Sequence, residues 1–168
     1  EKLKRLIEGK LATMVAMNAT RTDLAEKFRK LIDEYNAGSQ NIEVFFAELK
    51  EFAQTLNAED QRAIAENLSE EELALFDILT KPDPVLSKAE QAEVKKVCRE
   101  LLATLKREKL VLDWREKQQA KAAVMQTLKM SLLPSKLPSA FTKELRAEKM
   151  ARAYAHVYDH YAGYGQQL

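Results

Sequence analysis

The chain is poor in the residues that break helices. Its 168 residues include four Gly and four Pro. An all-β fold turns often and draws on both, so this scarcity argues against one. A single cysteine, Cys98, allows no disulfide within the chain and fits a reducing compartment. No apolar run approaches the ~18 residues that a membrane-spanning helix needs. No basic-then-apolar leader opens the sequence, and Glu1 in place of Met reads as a cut into a longer chain. No signature repeats with a period of ~20–50 residues, which disfavours a solenoid.

Chemistry is equally sparse. Loops that cradle phosphate need clustered glycines, because bare backbone N–H groups must approach the anion. Gly9, Gly38, Gly163 and Gly165 form neither a G-x-x-x-x-G-K-[ST] nor a G-x-G-x-x-G string. The only histidines, His156 and His160, are spaced i, i+4, which sets two imidazoles on one helix face as a metal site would. The residues between them, Val157, Tyr158 and Asp159, depart from the zinc-protease H-E-x-x-H string, and a third ligand would have to come from elsewhere. Two exposed or hydrogen-bonded histidines are the better reading. Cys98 falls on an apolar stripe, so it reads as core rather than nucleophile. The acidic run Glu70, Glu71 and Glu72 is explained as charge at a helix start, and no acid–base pair stands out from the background. The residues offer no catalytic set and no metal site, and a stand-alone enzyme is not expected.

What the sequence does have is helical periodicity over nearly its whole length. With 46% hydrophobic and 32% charged residues it can bury a core. The expected fold class is all-α: an irregular bundle of about seven helices, arranged as one body or two packed helical subdomains. Leu3, Ile7, Leu11, Met14 and Val15 make a first stripe, and Leu24, Phe28, Leu31, Ile32 and Tyr35 a second. Gly38 supplies a left-handed stop, and Ser39 or Asn41 can cap the next helix. Asn57 with Asp60 predicts a short helix ending near Asn67. Ser69-x-x-Glu72 and Ser87-x-x-Glu90 are capping boxes. Asp113-x-x-Glu116 and Ser139 can open the last two helices, while Leu110-Val111-Leu112 is either a turn or the middle of one long helix.

Lys81-Pro82-Asp83-Pro84 cannot lie inside a helix and predicts an extended link. The charge balance changes sign at the same point. Residues 1–84 carry 11 Lys+Arg against 17 Asp+Glu, and residues 85–168 carry 16 against 9. The division expected is an acidic subdomain over 1–81, a basic one over 85–162, and a frayed tail over 163–168. Such an asymmetry arises from mutual attraction, from different partners, or simply from solvated helix faces.

The basic half carries Lys95, Lys96, Arg99, Lys106, Arg107, Lys109, Arg115, Lys117, Lys121 and Lys129. Of these, Lys95, Lys96, Arg99, Lys106 and Arg107 are the candidates for phosphate contacts with DNA. The only tryptophan, Trp114, stands beside Arg115. Both residue types are enriched at interface hot spots, so Trp114, Arg115, Lys117 and Lys121 form a candidate partner-binding set. The commoner fate of an indole is burial, with Trp114 plugging the core while Asp113 caps.

Several strings occur together in order: Asn18-Ala-Thr-Arg21, Tyr35-Asn-Ala-Gly-Ser39, the run from Glu66 to Leu79 with its Leu-Ser-Glu-Glu-Glu-Leu-Ala-Leu-Phe-Asp core, Val94-Lys-Lys-Val97, Leu101-Leu102 and Leu112-Asp-Trp-Arg115. The set resembles the C-terminal helical region of the R (restriction and motor) subunit of type I restriction–modification enzymes, from about residue 3 to residue 161. The resemblance implies a bacterial, cytoplasmic protein whose nuclease and RecA-like motor domains precede this region. It implies that ATP and Mg²⁺ serve those other domains, with no cofactor in this one. It also implies docking onto the methyltransferase core of modification and specificity subunits, contact with the motor domains of its own chain, and no membrane. DNA remains a further possible partner. The family's nuclease and motor motifs lie outside this sequence, so no catalytic residue carries over.

Overall fold

The computed structural model describes residues 1–166 and is all-α, with no strand among them. It holds eight α-helices, one more than the seven or so expected. They fall into two compact units, Glu1–Ala74 and Leu75–Leu168.

In the first unit α1 (Lys2–Met17), α2 (Thr22–Asn36) and α3 (Ile42–Asp60) pack on one another. Their core is Ile7, Leu11 and Met14 from α1, Phe28 from α2, and Leu49 and Leu56 from α3. These positions recur at helical spacing, so each helix buries one apolar face. Phe28 and Phe52 meet with ring centroids 5.3 Å apart, and Tyr35 stacks on Phe45 at 4.1 Å. Asn41 caps α3, its side chain accepting from the Val44 N–H at 2.9 Å. Gly38 turns the chain before it with a φ of 76°. Asn57 does not start a new helix. It lies in the last turn of α3, where its side chain accepts from Lys10, and the following helix is a single turn, α4 (Arg62–Ala65).

Asn67 adopts a left-handed conformation and ends that turn. The Ser69–Glu72 capping box then opens α5 (Glu70–Thr80): the Ser69 N–H donates to Glu72 at 2.8 Å, and the Glu72 N–H to Ser69 Oγ at 3.1 Å. From Leu73 to Leu79 every residue of α5 is buried, Asp77 included. Burial at seven consecutive positions is more than the one apolar face of an amphipathic helix, although the first turn, Glu70 to Glu72, is only half-buried.

The second unit holds α6 (Lys88–Thr104), α7 (Gln118–Ser131) and α8 (Lys143–His160), with α7 packed against both α6 and α8. The Ser87–Glu90 box caps α6. Its stripe of Val94, Val97, Cys98, Leu101 and Leu102 is buried, with Cys98 among the core residues. The two remaining helix starts differ from expectation. Asp113 has a φ of 54° and makes no capping bond, so the residues after it form only a 3₁₀ turn, Trp114–Glu116, and α7 begins later. Thr142, not Ser139, caps α8, accepting from the Leu145 N–H at 3.1 Å. Phe141, just before it, is buried.

Lys149 is wholly buried in α8, and its ammonium donates to the Lys81 carbonyl at 2.7 Å. Arg152 donates to the same oxygen at 3.0 Å. Two cations thus meet the carbonyl end of α5, where the helix dipole is negative. Burial holds the Lys149 ammonium below its ordinary range, and Arg152 adds to the effect. In the described part of the expected tail, Gly163–Gly165 forms a 3₁₀ turn, while residues 167 and 168 lie outside the described residues.

Candidate functional site

Residues 105–117 join α6 to α7 and carry most of the partner candidates. The helix does not run through. It loosens into a π-helical turn, Leu105–Lys109, and the Leu110 N–H closes that turn on the Leu105 carbonyl at 2.8 Å. Leu110 is buried, but Val111 and Leu112 are 42% and 48% exposed. Asp113 then reverses the chain in the left-handed region, which Asp tolerates better than most side chains.

Trp114 is fully buried. Its indole N–H donates to the Tyr161 carbonyl at 3.3 Å, and the ring meets Tyr154 and Tyr158 edge-on at 6.4 and 5.8 Å. Trp114 therefore sits in the core, with no side-chain surface exposed. Its neighbour is placed otherwise. Arg115 donates to the Tyr158 carbonyl at 3.2 Å, with its guanidinium 5.7 Å from the Tyr158 ring centroid. Lys117 donates to the Leu112 carbonyl at 2.9 Å, and Lys121 follows one turn along α7, half-buried. Val111, Leu112 and Tyr158 thus present apolar surface beside Arg115 and Lys117. Helical spacing sets Tyr158 with the apolar residues of α8, yet it is 37% exposed and shields one face of the guanidinium.

The phosphate candidates divide. Lys96, Lys106 and Arg107 are exposed, whereas Lys95 and Arg99 are half-buried. Lys95 lies over the Phe76 ring at 5.6 Å, and Arg107 pairs with Glu108 at 3.1 Å. Part of the positive charge is therefore already engaged.

The histidines do sit together, as their spacing requires. Their rings stack 4.2 Å apart, and His160 Nδ1 lies 2.9 Å from the His156 carbonyl. His156 is buried, and its Nε2 has no hydrogen-bond partner among the described residues. Burial, and then the neighbouring His160, push its pKa down to about 4, so it is neutral at pH 7. Among the described residues no three His, Cys, Asp or Glu side chains gather as a metal site.

Periodicity could not reveal one further cluster. Arg21 is buried between α1 and α2, where no helical stripe marks it. It donates to Glu59 and to Glu70, each at 2.9 Å, and Arg62 makes two further bonds to Glu59 at 2.9 Å. Burial alone would raise the Glu59 carboxyl, but the hydrogen bonds from Arg62 and Arg21 outweigh it and hold Glu59 below the ordinary carboxylate range. Every carboxylate here has a cation, so the cluster ties the helix ends of the first unit and leaves no acid or base to spare. A groove of about 380 Å³ in the same unit is lined by Leu3, Ile32, Ile42, Phe45 and Phe46. Its charged residues, Glu1 and Lys4, have opposite signs.

A family model described as "Type I restriction enzyme HindI endonuclease subunit-like, C-terminal" matches residues 1–156. The chain belongs to this family. No curated protein and no solved structure matches it. The match to this restriction-enzyme family spans both units and takes in residues 105–117. It stops within α8, before Tyr158 and the Gly163–Gly165 turn. No helix among the described residues of this family member is long and apolar enough to cross a membrane.

Proposed function

We propose that this domain is a non-catalytic docking module, which seats the nuclease and motor subunit of a type I restriction enzyme on the methyltransferase core formed by the modification and specificity subunits. One observation carries the reading: the surface of Val111, Leu112 and Tyr158 beside Arg115 and Lys117. Apolar area flanked by Arg and Tyr is what an interface hot spot requires, and the cations favour an acidic rim on the partner. Family membership supports a restriction–modification complex as the setting, and the methyltransferase core as the partner is part of this proposal. ATP and Mg²⁺ are assigned to the other domains of that subunit, and the cytoplasm is the expected location.

The test is capture of the purified chain by the assembled modification–specificity core. Arg115→Glu should weaken binding by about tenfold or more through like-charge repulsion at the rim. The isolated chain should show no ATPase or nuclease activity. Equal capture of wild type and Arg115→Glu would refute the reading. The exposure of Lys96, Lys106 and Arg107 favours a second reading, duplex DNA held by the basic half. That reading requires a gel shift whose affinity falls steeply between about 50 and 200 mM salt. No shift at low salt would remove it.

A further inference from the structure

The surface just described stands on irregular backbone: a π-helical turn, a left-handed residue and a 3₁₀ turn in succession. Such a segment lacks the continuous ladder of an α-helix and is held by single turns, with the Leu110 N–H on the Leu105 carbonyl at 2.8 Å, the Trp114 N–H on Val111 at 3.1 Å and the Glu116 N–H on Asp113 at 2.9 Å. Packing against it therefore adds to what fixes its shape. Besides α6 and α7, the residues that follow α8 pack against it. The Tyr158 and Tyr161 carbonyls take Arg115 and the Trp114 indole. Beyond them the Gly165 N–H donates to the Leu110 carbonyl at 2.9 Å, while the Ala162 N–H donates to the Gln166 carbonyl at 2.6 Å and closes the turn on itself.

Both glycines of this turn are needed where they stand. A Cβ on Gly163 would lie 2.7 Å from Leu112 Cα and 3.1 Å from the Asp113 nitrogen. A Cβ on Gly165 would lie 2.9 Å from both Cα and the carbonyl oxygen of Lys106, and its φ of 68° also disfavours any side chain. The obstacles are backbone atoms, which cannot swing aside. Gly9 and Gly38, by contrast, have nothing within 4 Å of an added Cβ.

We propose that Gly163–Gly165 is a clasp: it seats on residues 106–112 and sets the backbone that presents Val111, Leu112, Arg115 and Lys117. The clasp rests on the docking reading only for what it presents; its own existence is tested separately. Gly163 and Gly165 are positioning residues, acting through the segment they grip.

Trp114 is the only tryptophan, it follows closely on the gripped segment, and its indole N–H donates to the Tyr161 carbonyl two residues before the turn, so its emission reports on this region. The experiment compares the full chain with Gly163→Ala, Gly165→Ala and the control Gly9→Ala. Helix content is checked by circular dichroism. Opening the clasp should shift Trp114 emission to the red and raise acrylamide quenching several-fold in the first two variants, with the control unchanged. Capture by the methyltransferase core should weaken by about tenfold alongside. Wild-type emission and quenching in both clasp variants would overturn the proposal. If either variant fails to fold, hydrogen exchange on the wild-type chain decides: slow exchange of the Gly165 amide supports the clasp, and exchange at the rate of an open chain overturns it. The docking reading fails differently, through an Arg115→Glu variant that keeps native emission and still binds the core as wild type does.

Discussion

His156 gives the chain a pH dependence whose size follows from its surroundings. The imidazole is buried in α8 with the His160 ring stacked 4.2 Å away and the Tyr161 ring edge-on at 6.4 Å. Burial is the main reason that its pKa falls from the ordinary 6.5 to about 4, His160 adds to the drop, and Asp159 opposes it. The sign follows from proton counting. Between those two values the unfolded chain binds a proton at His156 that the native chain does not, so stability falls as the pH falls. A fall from 6.5 to about 4 corresponds to about 3 kcal/mol, present above the ordinary value and lost by about pH 4. Urea unfolding followed by Trp114 emission, repeated from about pH 7 to about pH 4.5, measures it. His156→Leu removes the titrating group. Wild type should lose about 2–3 kcal/mol more than this variant over that interval. The lowered Glu59 carboxyl works in the same direction as the pH falls through the carboxylate range, but both proteins contain it and the difference cancels it. Parallel stability curves for the two proteins would refute the argument.

Two further perturbations test the helix ends. Arg21→Ala leaves Glu59 and Glu70 without a buried cation, although Glu59 keeps Arg62; the cost should be about 3 kcal/mol by urea unfolding, and Arg21→Met should cost less because it keeps the apolar contacts. Thr142→Ala should cost about 1 kcal/mol, whereas Ser139→Ala should change stability by less than about 0.5 kcal/mol, since only Thr142 caps α8.

Local pattern was enough for the fold class and most of the punctuation. Apolar residues at helical spacing leave each helix one face to bury, which is a local property that any all-α packing must satisfy. The Ser69 and Ser87 boxes, the Asn41 cap and the Gly38 turn are also local, because donor and acceptor lie within a few residues of each other. The ordered strings pointed to the family for the same reason, being properties of the chain and not of its packing.

Other features depended on packing. Asp113 and Ser139 offer the same capping chemistry as Ser87, yet neither caps: each stands close to a residue that the fold buries, Trp114 or Phe141, and the helices begin further on at Gln118 and Lys143. Trp114 and Arg115 are adjacent in sequence, but one is enclosed and the other reaches Tyr158, some forty residues along the chain. Arg21 and Lys149 look like surface cations until distant oxygens, on Glu59, Glu70 and Lys81, come within reach. A buried charge is tolerated only with such partners, and bringing them together is the work of the fold.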